Sequence, residues 1–351
     1  MLSRFCEKGE RLVRVPVHRL FAAALALVAV FAAPPGAMAA GSFPNPLFTW
    51  GGTADPGTIY TDGRYYVAAT SGVDSTGGVM PVRVSVDRHS WSNSGHVFES
   101  GKLPGWSDSS YGYWAPEIYF FHSIGQYVAY FAAINTATGK RCIGRATSST
   151  PYNFTDLGRP LLCHPTAAYS IIDPSIFFDS VTGRHYLLYK DDPNPSEGTK
   201  QIVIRPINDD GLSGIGTPYH IVAPARSWEG VSVEAPTMVY QGGFYWIFYS
   251  GATYNRDTYA LGVARSTSPT GTFTKDPSGG PILSGNNDPR YCGVGHQDIE
   301  HTAADGWLVF YHAYLSQSGE SCTGGRYLMM DVLYWDRSGG WPRIHDGTPS
   351  E

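Results

Sequence analysis

The 351-residue chain is sparsely charged, with 16% Asp, Glu, Lys and Arg, and its net charge of −5 comes with no basic cluster in the body of the chain. That excludes the electrostatic footprint of a nucleic-acid binder. Aromatic residues reach 14%, and 41 glycines and 25 prolines ask for many short turns rather than long helices, a composition that suits a neutral polymer of stackable rings as partner.

In chain order, the first element is an export signal over residues 1–40. Arg4, Lys8, Arg11, Arg14 and Arg19 precede an apolar run from Leu20 to Ala33, and Ala37-Met38-Ala39 fits the small-residue cleavage pattern. The run is shorter than the ~20 residues that span a bilayer. The expected product is therefore secreted, starts at Ala40 or Gly41 and keeps no membrane anchor; an uncleaved anchor is the alternative. Cys6 leaves with the signal, and Cys142, Cys163, Cys292 and Cys322 remain. Of the three pairings open to four cysteines, Cys142–Cys163 and Cys292–Cys322 are favoured, because each would staple one local excursion. A four-thiolate metal site would need C-x-x-C spacing, which is missing.

From residue 54 onward, short apolar and aromatic runs alternate with Gly, Asp and Asn turns, the pattern of an all-β fold. One unit recurs five times: a polar entry with Pro, an apolar strand, a turn, then an aromatic strand. Its entries are Asp55-Pro56-Gly57, Ala115-Pro116-Glu117, Asp173-Pro174-Ser175, Ala235-Pro236-Thr237 and Gln297-Asp298-Ile299. Aligning Pro56, Pro116, Pro174, Pro236 and Asp298 gives steps of 60, 58, 62 and 62 residues, the signature of repeated supersecondary units. Segments such as Arg141–Ala146 and Ala260–Ala264 supply third strands. The prediction is one five-bladed β-propeller over residues 41–351; a β-sandwich would not produce the even spacing.

Equivalent positions of innermost strands form rings around a propeller's channel. In this alignment one ring holds Asp55, Ala115, Asp173, Ala235 and Gln297, and its neighbour Ala54, Trp114, Ile172, Glu234 and His296. Asp-Pro at a single strand start is usually only a turn signal; three acids converging from different blades form a site. Glycosidic cleavage needs a protonated acid at the leaving oxygen and an ionised carboxylate on the other face of the sugar, and neighbouring carboxylates push one another's pKa values apart. Glu234 and Asp55 are the natural acid and base, with Asp173 between them.

The ordered set Ala54-Asp55-Pro56-Gly57, Trp114-Ala115-Pro116-Glu117, Ile172-Asp173-Pro174-Ser175, Val233-Glu234-Ala235-Pro236 and Gly295-His296, with the tail Gly325-Arg326-Tyr327 through Gly340-Trp341-Pro342, resembles glycoside hydrolase family 43. These are five-bladed propellers acting on arabinan, xylan and related plant polysaccharides. The resemblance implies Asp55 as general base, Asp173 as pKa modulator, Glu234 as general acid, and inversion, with acid and base about 6.5–9.5 Å apart. It also implies substrate contact by Arg326, and places His296 beneath the sugar, with a water-mediated calcium there in some members and only hydrogen bonding in others. No cofactor is required for the chemistry.

Trp114, Tyr113 and Trp50 flank the motifs and are expected to stack on sugars, whereas Tyr65, Tyr186, Tyr245 and Trp246 are expected in the core. Fructan-active retaining propellers are disfavoured, since their motifs differ from those at Asp55, Asp173 and Glu234. A non-catalytic sugar-binding propeller would not need all three acids. The expected activity is on α-L-arabinofuranosyl linkages of arabinan or arabinoxylan by a monomer, with a β-xylosidase as alternative.

Overall fold

A computed structural model describes residues 43–350 apart from Pro195, Asn286, Asn287 and 336–339; the export signal read on residues 1–40 lies outside them. Among the described residues the regular structure is strands and two single 3-10 turns, arranged as five antiparallel up-and-down sheets. Blade 1 comprises Ala54–Thr61, Arg64–Thr70, Val79–Ser85 and Ser92–Phe98. Blade 2 comprises Trp114–Phe121, Gln126–Asn135, Lys140–Ser148 and Thr155–Asp156. Blade 3 follows with Ser170–Asp179, Arg184–Asp192, Gln201–Ile207 and Tyr219–Val222. Blade 4 has Val233–Gln241, Phe244–Gly251, Ala260–Ser266 and Thr274–Lys275, with Leu283–Ser284 also pairing its third strand. Blade 5 has Cys292–Thr302, Gly306–Ser318, Ser321–Tyr334 and Arg343–Ile344. Each inner strand packs on the next, and that of blade 5 packs on that of blade 1, so the five-bladed propeller expected from the repeat is the observed fold.

The second strands are buried on both faces, which is why they read as nearly continuous apolar runs such as Tyr127–Ala133. Between blades these faces form the core, and Tyr65, Tyr186, Tyr245 and Trp246 are buried in it as expected. The start and end of the described chain meet on blade 5: Leu47 N donates to Leu328 O at 2.9 Å, and the side chain of Asn45 reaches both Met330 O and Ser350 O. Cys142–Cys163 and Cys292–Cys322 are both bonded.

Every inner strand carries the same irregularity. Its register against the second strand slips by one between Ala54 and Gly57, Trp114 and Glu117, Ile172 and Ser175, Glu234 and Thr237, and Gly295 and Asp298. The residue after the first of each pair has positive φ: Asp55 51°, Ala115 46°, Asp173 56°, Ala235 53° and His296 52°. Left-handed backbone at non-glycine residues costs energy and persists here because neighbouring blades fix the amides. Ala115 N donates to Thr70 Oγ1, Ala235 N to Asp173 Oδ2, His296 N to Ser250 Oγ and Asp55 N to His312 Nδ1, at 2.8–3.2 Å.

This register corrects the sequence alignment in blade 5. His296, not Gln297, belongs with Asp55, Ala115, Asp173 and Ala235; Gly295, not His296, is the counterpart of Glu234; and Asp298 matches Gly57 and Glu117 rather than the prolines. Blade 5 has no Pro to mark the bulge, and its inner strand slips a second time between Cys292 and Gly295.

Candidate active site

The bulges turn Asp55, Asp173 and His296 into one ring, and Glu234 enters from the adjoining position on blade 4. All four line a cavity of about 220 Å³, together with Thr70, Trp114, Ile172, Tyr254 and Arg326. The three acids predicted to converge are therefore gathered in one cavity, in three different environments.

Asp55 is buried beside a guanidinium and two imidazoles. Its Oδ1 lies 2.5 Å from Arg326 Nη1, 3.1 Å from His296 Nδ1 and 3.4 Å from His312 Nδ1. Burial alone pushes its carboxyl up, but Arg326 and then the two histidines outweigh it and hold the group well below the usual carboxylate range. His312 is pushed well below the ordinary imidazole value by burial and by Arg326. It is neutral near pH 7 and can accept the Asp55 amide through Nδ1.

Asp173 has no such cluster. Its Oδ2 accepts the Ala235 amide at 3.1 Å, and burial pushes its pKa up to about 6, with His296 opposing and Glu234 adding to the rise. Glu234 is held at both oxygens: Oε2 accepts from Lys190 Nζ at 2.7 Å and Oε1 from the Tyr259 hydroxyl at 2.8 Å. Burial, followed by the charge of Glu234, raises the Tyr259 phenol well above its ordinary value, so it stays a donor. Lys190 is buried, yet Glu234 and Asp192 outweigh the burial and keep it charged.

Of the expected sugar contacts, Trp114 and Arg326 line the cavity. Trp114 is 39% exposed and lies over the guanidinium of Arg141, whose carbon is 3.2 Å from its ring centroid. Arg141 is itself anchored on Tyr111 O and Gly112 O. Tyr113 is a correction: it is 0% exposed, packs between Phe98 and Phe131 and shares a hydrogen bond with Ser107 Oγ. It offers no face to a ligand, because successive strand residues point to opposite sides and Trp114 takes the open one. Trp50 is exposed and stacks on Phe48 with Arg83 beside it, outside the residues lining the cavity.

Lys190, Tyr259, His312, Arg141 and Tyr254 were not singled out in the sequence. A lysine inside the apolar run Leu187-Leu188-Tyr189-Lys190 was the available signal for the first. Among the described residues no three His, Cys, Asp or Glu side chains converge as direct metal ligands. His296 offers a single ring, with Nδ1 turned to Asp55, so a calcium ion there would take most of its ligands from water.

Two carboxyls kept in opposite protonation preferences beside a third carboxylate held by an ammonium and a phenol can take a proton from water on one side and donate one on the other. Comparisons with known proteins agree with that chemistry. Over residues 43–342 the chain matches the model of the glycosyl hydrolases family 43. It is 28% identical over 306 residues to the extracellular endo-α-(1→5)-L-arabinanase 1 of Bacillus subtilis, covering 82% of this chain and 86% of that one. It is 26% identical over 312 residues to arabinan endo-1,5-α-L-arabinosidase A of Aspergillus niger, covering 83% and 90%. Among solved structures, a thermostable family-43 glycoside hydrolase superposes with a TM-score of 0.76 at 28% identity, over 88% of this chain and 98% of the other. An endo-1,4-β-xylanase from Bacteroides thetaiotaomicron superposes with a TM-score of 0.70 at 25% identity, over 84% and 94%. With five blades closed in order, three acids on their inner strands and a family match across nearly all of the described residues, the chain belongs to glycosyl hydrolase family 43.

Proposed function

We propose that this glycoside hydrolase cleaves α-1,5-L-arabinofuranosyl linkages of arabinan, with inversion at the anomeric carbon. The single observation that carries the mechanism is the contrast between Asp55, held ionised chiefly by Arg326 at 2.5 Å, and the separately supported Glu234. Asp55 takes a proton from water as the water oxygen bonds to the anomeric carbon. Glu234 gives its proton to the glycosidic oxygen as the bond to that oxygen breaks. Lys190 and Tyr259 stabilise the carboxylate left on Glu234, and Asp173, titrating near 6, orients the sugar and tunes Glu234. The arabinan substrate is supported by the printed activities of the B. subtilis and A. niger relatives.

The test is hydrolysis of linear arabinan, arabinoxylan, an aryl α-L-arabinofuranoside and an aryl β-xyloside by wild type beside Glu234→Ala. Arabinan cleavage that is lost in the variant supports the proposal, and NMR of the first-formed anomer reads inversion. Activity confined to xylan or the xyloside would keep the mechanism and overturn the substrate. Silence on every glycoside would favour a sugar-binding propeller.

The chemistry assigned requires no cofactor. A hydrated calcium beside His296 would help to hold that ring in place, so chelation should lower the melting temperature. We further propose secretion as a monomer. Two disulfides suit an oxidising compartment, and a mature N-terminus at residue 40 or 41 in culture medium, with a single-chain mass in solution, is the expected result.

A further inference from the structure

We propose that Tyr254 is a second sugar platform, facing Trp114 across the channel, so that the cleft grips a polysaccharide chain on both sides of its carboxylates. The inference rests on the polysaccharide reading above and adds how much of the chain is held. Tyr254 lines the same cavity as the three acids and is 45% exposed. Arg326, the partner of Asp55, lies against its ring, with the guanidinium carbon 4.9 Å from the centroid. Trp114 has the same arrangement with Arg141. Each aromatic thus has an arginine on one face and retains exposed surface in a concave, polar-lined cavity, the combination that binding sites use.

Blade order puts the two platforms on opposite sides of the ring. Trp114 begins the inner strand of blade 2, whereas Tyr254 lies between the second and third strands of blade 4, in a segment fastened to blade 5. Cys322 N donates to Asn255 O at 2.9 Å, Asp257 N to Glu320 O at 3.1 Å, and Arg256 Nη1 to Ser321 Oγ at 2.9 Å. The Cys292–Cys322 bond anchors that part of blade 5. Gly293 between them has φ +62°, and a Cβ there would come within 2.6 Å of Tyr254 O, so glycine is what allows the segment to lie down on blade 5. A backbone held at this many points lowers the ordering cost of presenting the ring. Around five blades, blade 2 and the blade 4–blade 5 boundary are diametrically placed, and the carboxylates lie between.

The experiment is calorimetric titration of linear arabino-oligosaccharides, two to six units long, into the Glu234→Gln protein, with Tyr254→Ala or Tyr254→Phe added. Tyr254→Ala is expected to weaken the longer oligosaccharides about three- to tenfold, with a smaller effect on the disaccharide, while Tyr254→Phe keeps the ring and the affinity. Unchanged affinity in Tyr254→Ala, or equal loss in Tyr254→Phe, overturns the platform. If Glu234→Gln binds xylo-oligosaccharides instead, the substrate proposal falls separately. A length-dependent loss on those ligands still supports the platform, and its absence overturns it.

Discussion

The ammonium of Lys190 lies 2.7 Å from Glu234 Oε2, reaching from the second strand of blade 3 to the inner strand of blade 4. Its place is not peculiar to blade 3. Thr70, Ala132, Lys190, Ser250 and His312 pair with Ala54, Trp114, Ile172, Glu234 and Gly295 at the bulges of their own blades. Four of the five reach into the next blade: Thr70 to the Ala115 amide, Lys190 to Glu234, Ser250 to the His296 amide and His312 to the Asp55 amide. One repeated position thus serves backbone anchoring in three blades and supports an acid in the fourth.

Lys190→Met should test that support. Removing one member of a buried pair leaves the other charge uncompensated, and the cost expected for such a pair is about 3–5 kcal/mol. Denaturant unfolding should therefore show a large loss for Lys190→Met and partial recovery in Lys190→Met/Glu234→Gln, where Asp192 alone is left without the ammonium. Neither variant should regain activity. A fully stable, fully active Lys190→Met would remove the residue from the site.

Asp55→Asn and Glu234→Gln keep side-chain shape and remove proton transfer. Each should lower kcat by about 10²–10⁴-fold with little change in circular dichroism. Because Glu234 is assigned to the leaving oxygen, the loss in Glu234→Gln should be smaller for an aryl glycoside with an acidic phenol than for arabinan. An equal loss on both substrates would count against the acid role.

The repeat was legible because each bulge except one is marked by Pro, and because a slip in period would have moved whole apolar runs to the wrong face. The fifth bulge was misplaced by one residue because Gln297 stands where the others have Pro, so only the pairing of Gly295 with His312 shows where the chain turns left-handed. Acids on the inner strands were found, since they adjoin the motif. Lys190, Tyr259 and His312 were not, because they come from second strands and, for Tyr259, from the residue just before a third strand, and their meeting depends on strand register and on which blade lies next. Tyr113 and Trp114 are neighbours in sequence with opposite fates, since the extended backbone turns them to opposite sides and Tyr113 meets Phe98 and Phe131.

Asp173 gives a pH prediction with a definite sign. Its folded pKa of about 6 exceeds the ordinary 3.8, so between those values the unfolded chain gives up the proton more readily. Stability from this group is therefore greatest below pH 4, falls as pH rises towards 6 and is flat above. Asp173→Asn stays neutral and retains an acceptor for the Ala235 amide. Unfolding measured at pH 4 and pH 7 should show a smaller decline for the variant than for wild type, and the acidic side of its pH–rate profile should move. Identical declines and identical profiles would remove Asp173 from the modulating role.

Arg326→Gln separates the two tasks assigned to that arginine. In the folded protein Arg326 is the leading group that lowers the Asp55 pKa against burial, so the stabilisation it confers is present above the ordinary carboxylate value of 3.8 and disappears as pH falls through the depressed one. Without the guanidinium, burial loses its largest opponent and Asp55 holds its proton to higher pH. The acidic limb of kcat/KM should therefore move upward in pH, and the stability deficit against wild type should shrink in strong acid. Arg326→Lys keeps the charge and should leave the limb closer to its original position. Tyr254→Ala leaves the Arg326–Asp55 pair in place, so its weaker binding of long oligosaccharides should come with an unmoved limb. If Arg326→Gln shows the same pH profile as wild type, Asp55 is not held ionised by Arg326, and its assignment as the base loses its electrostatic ground.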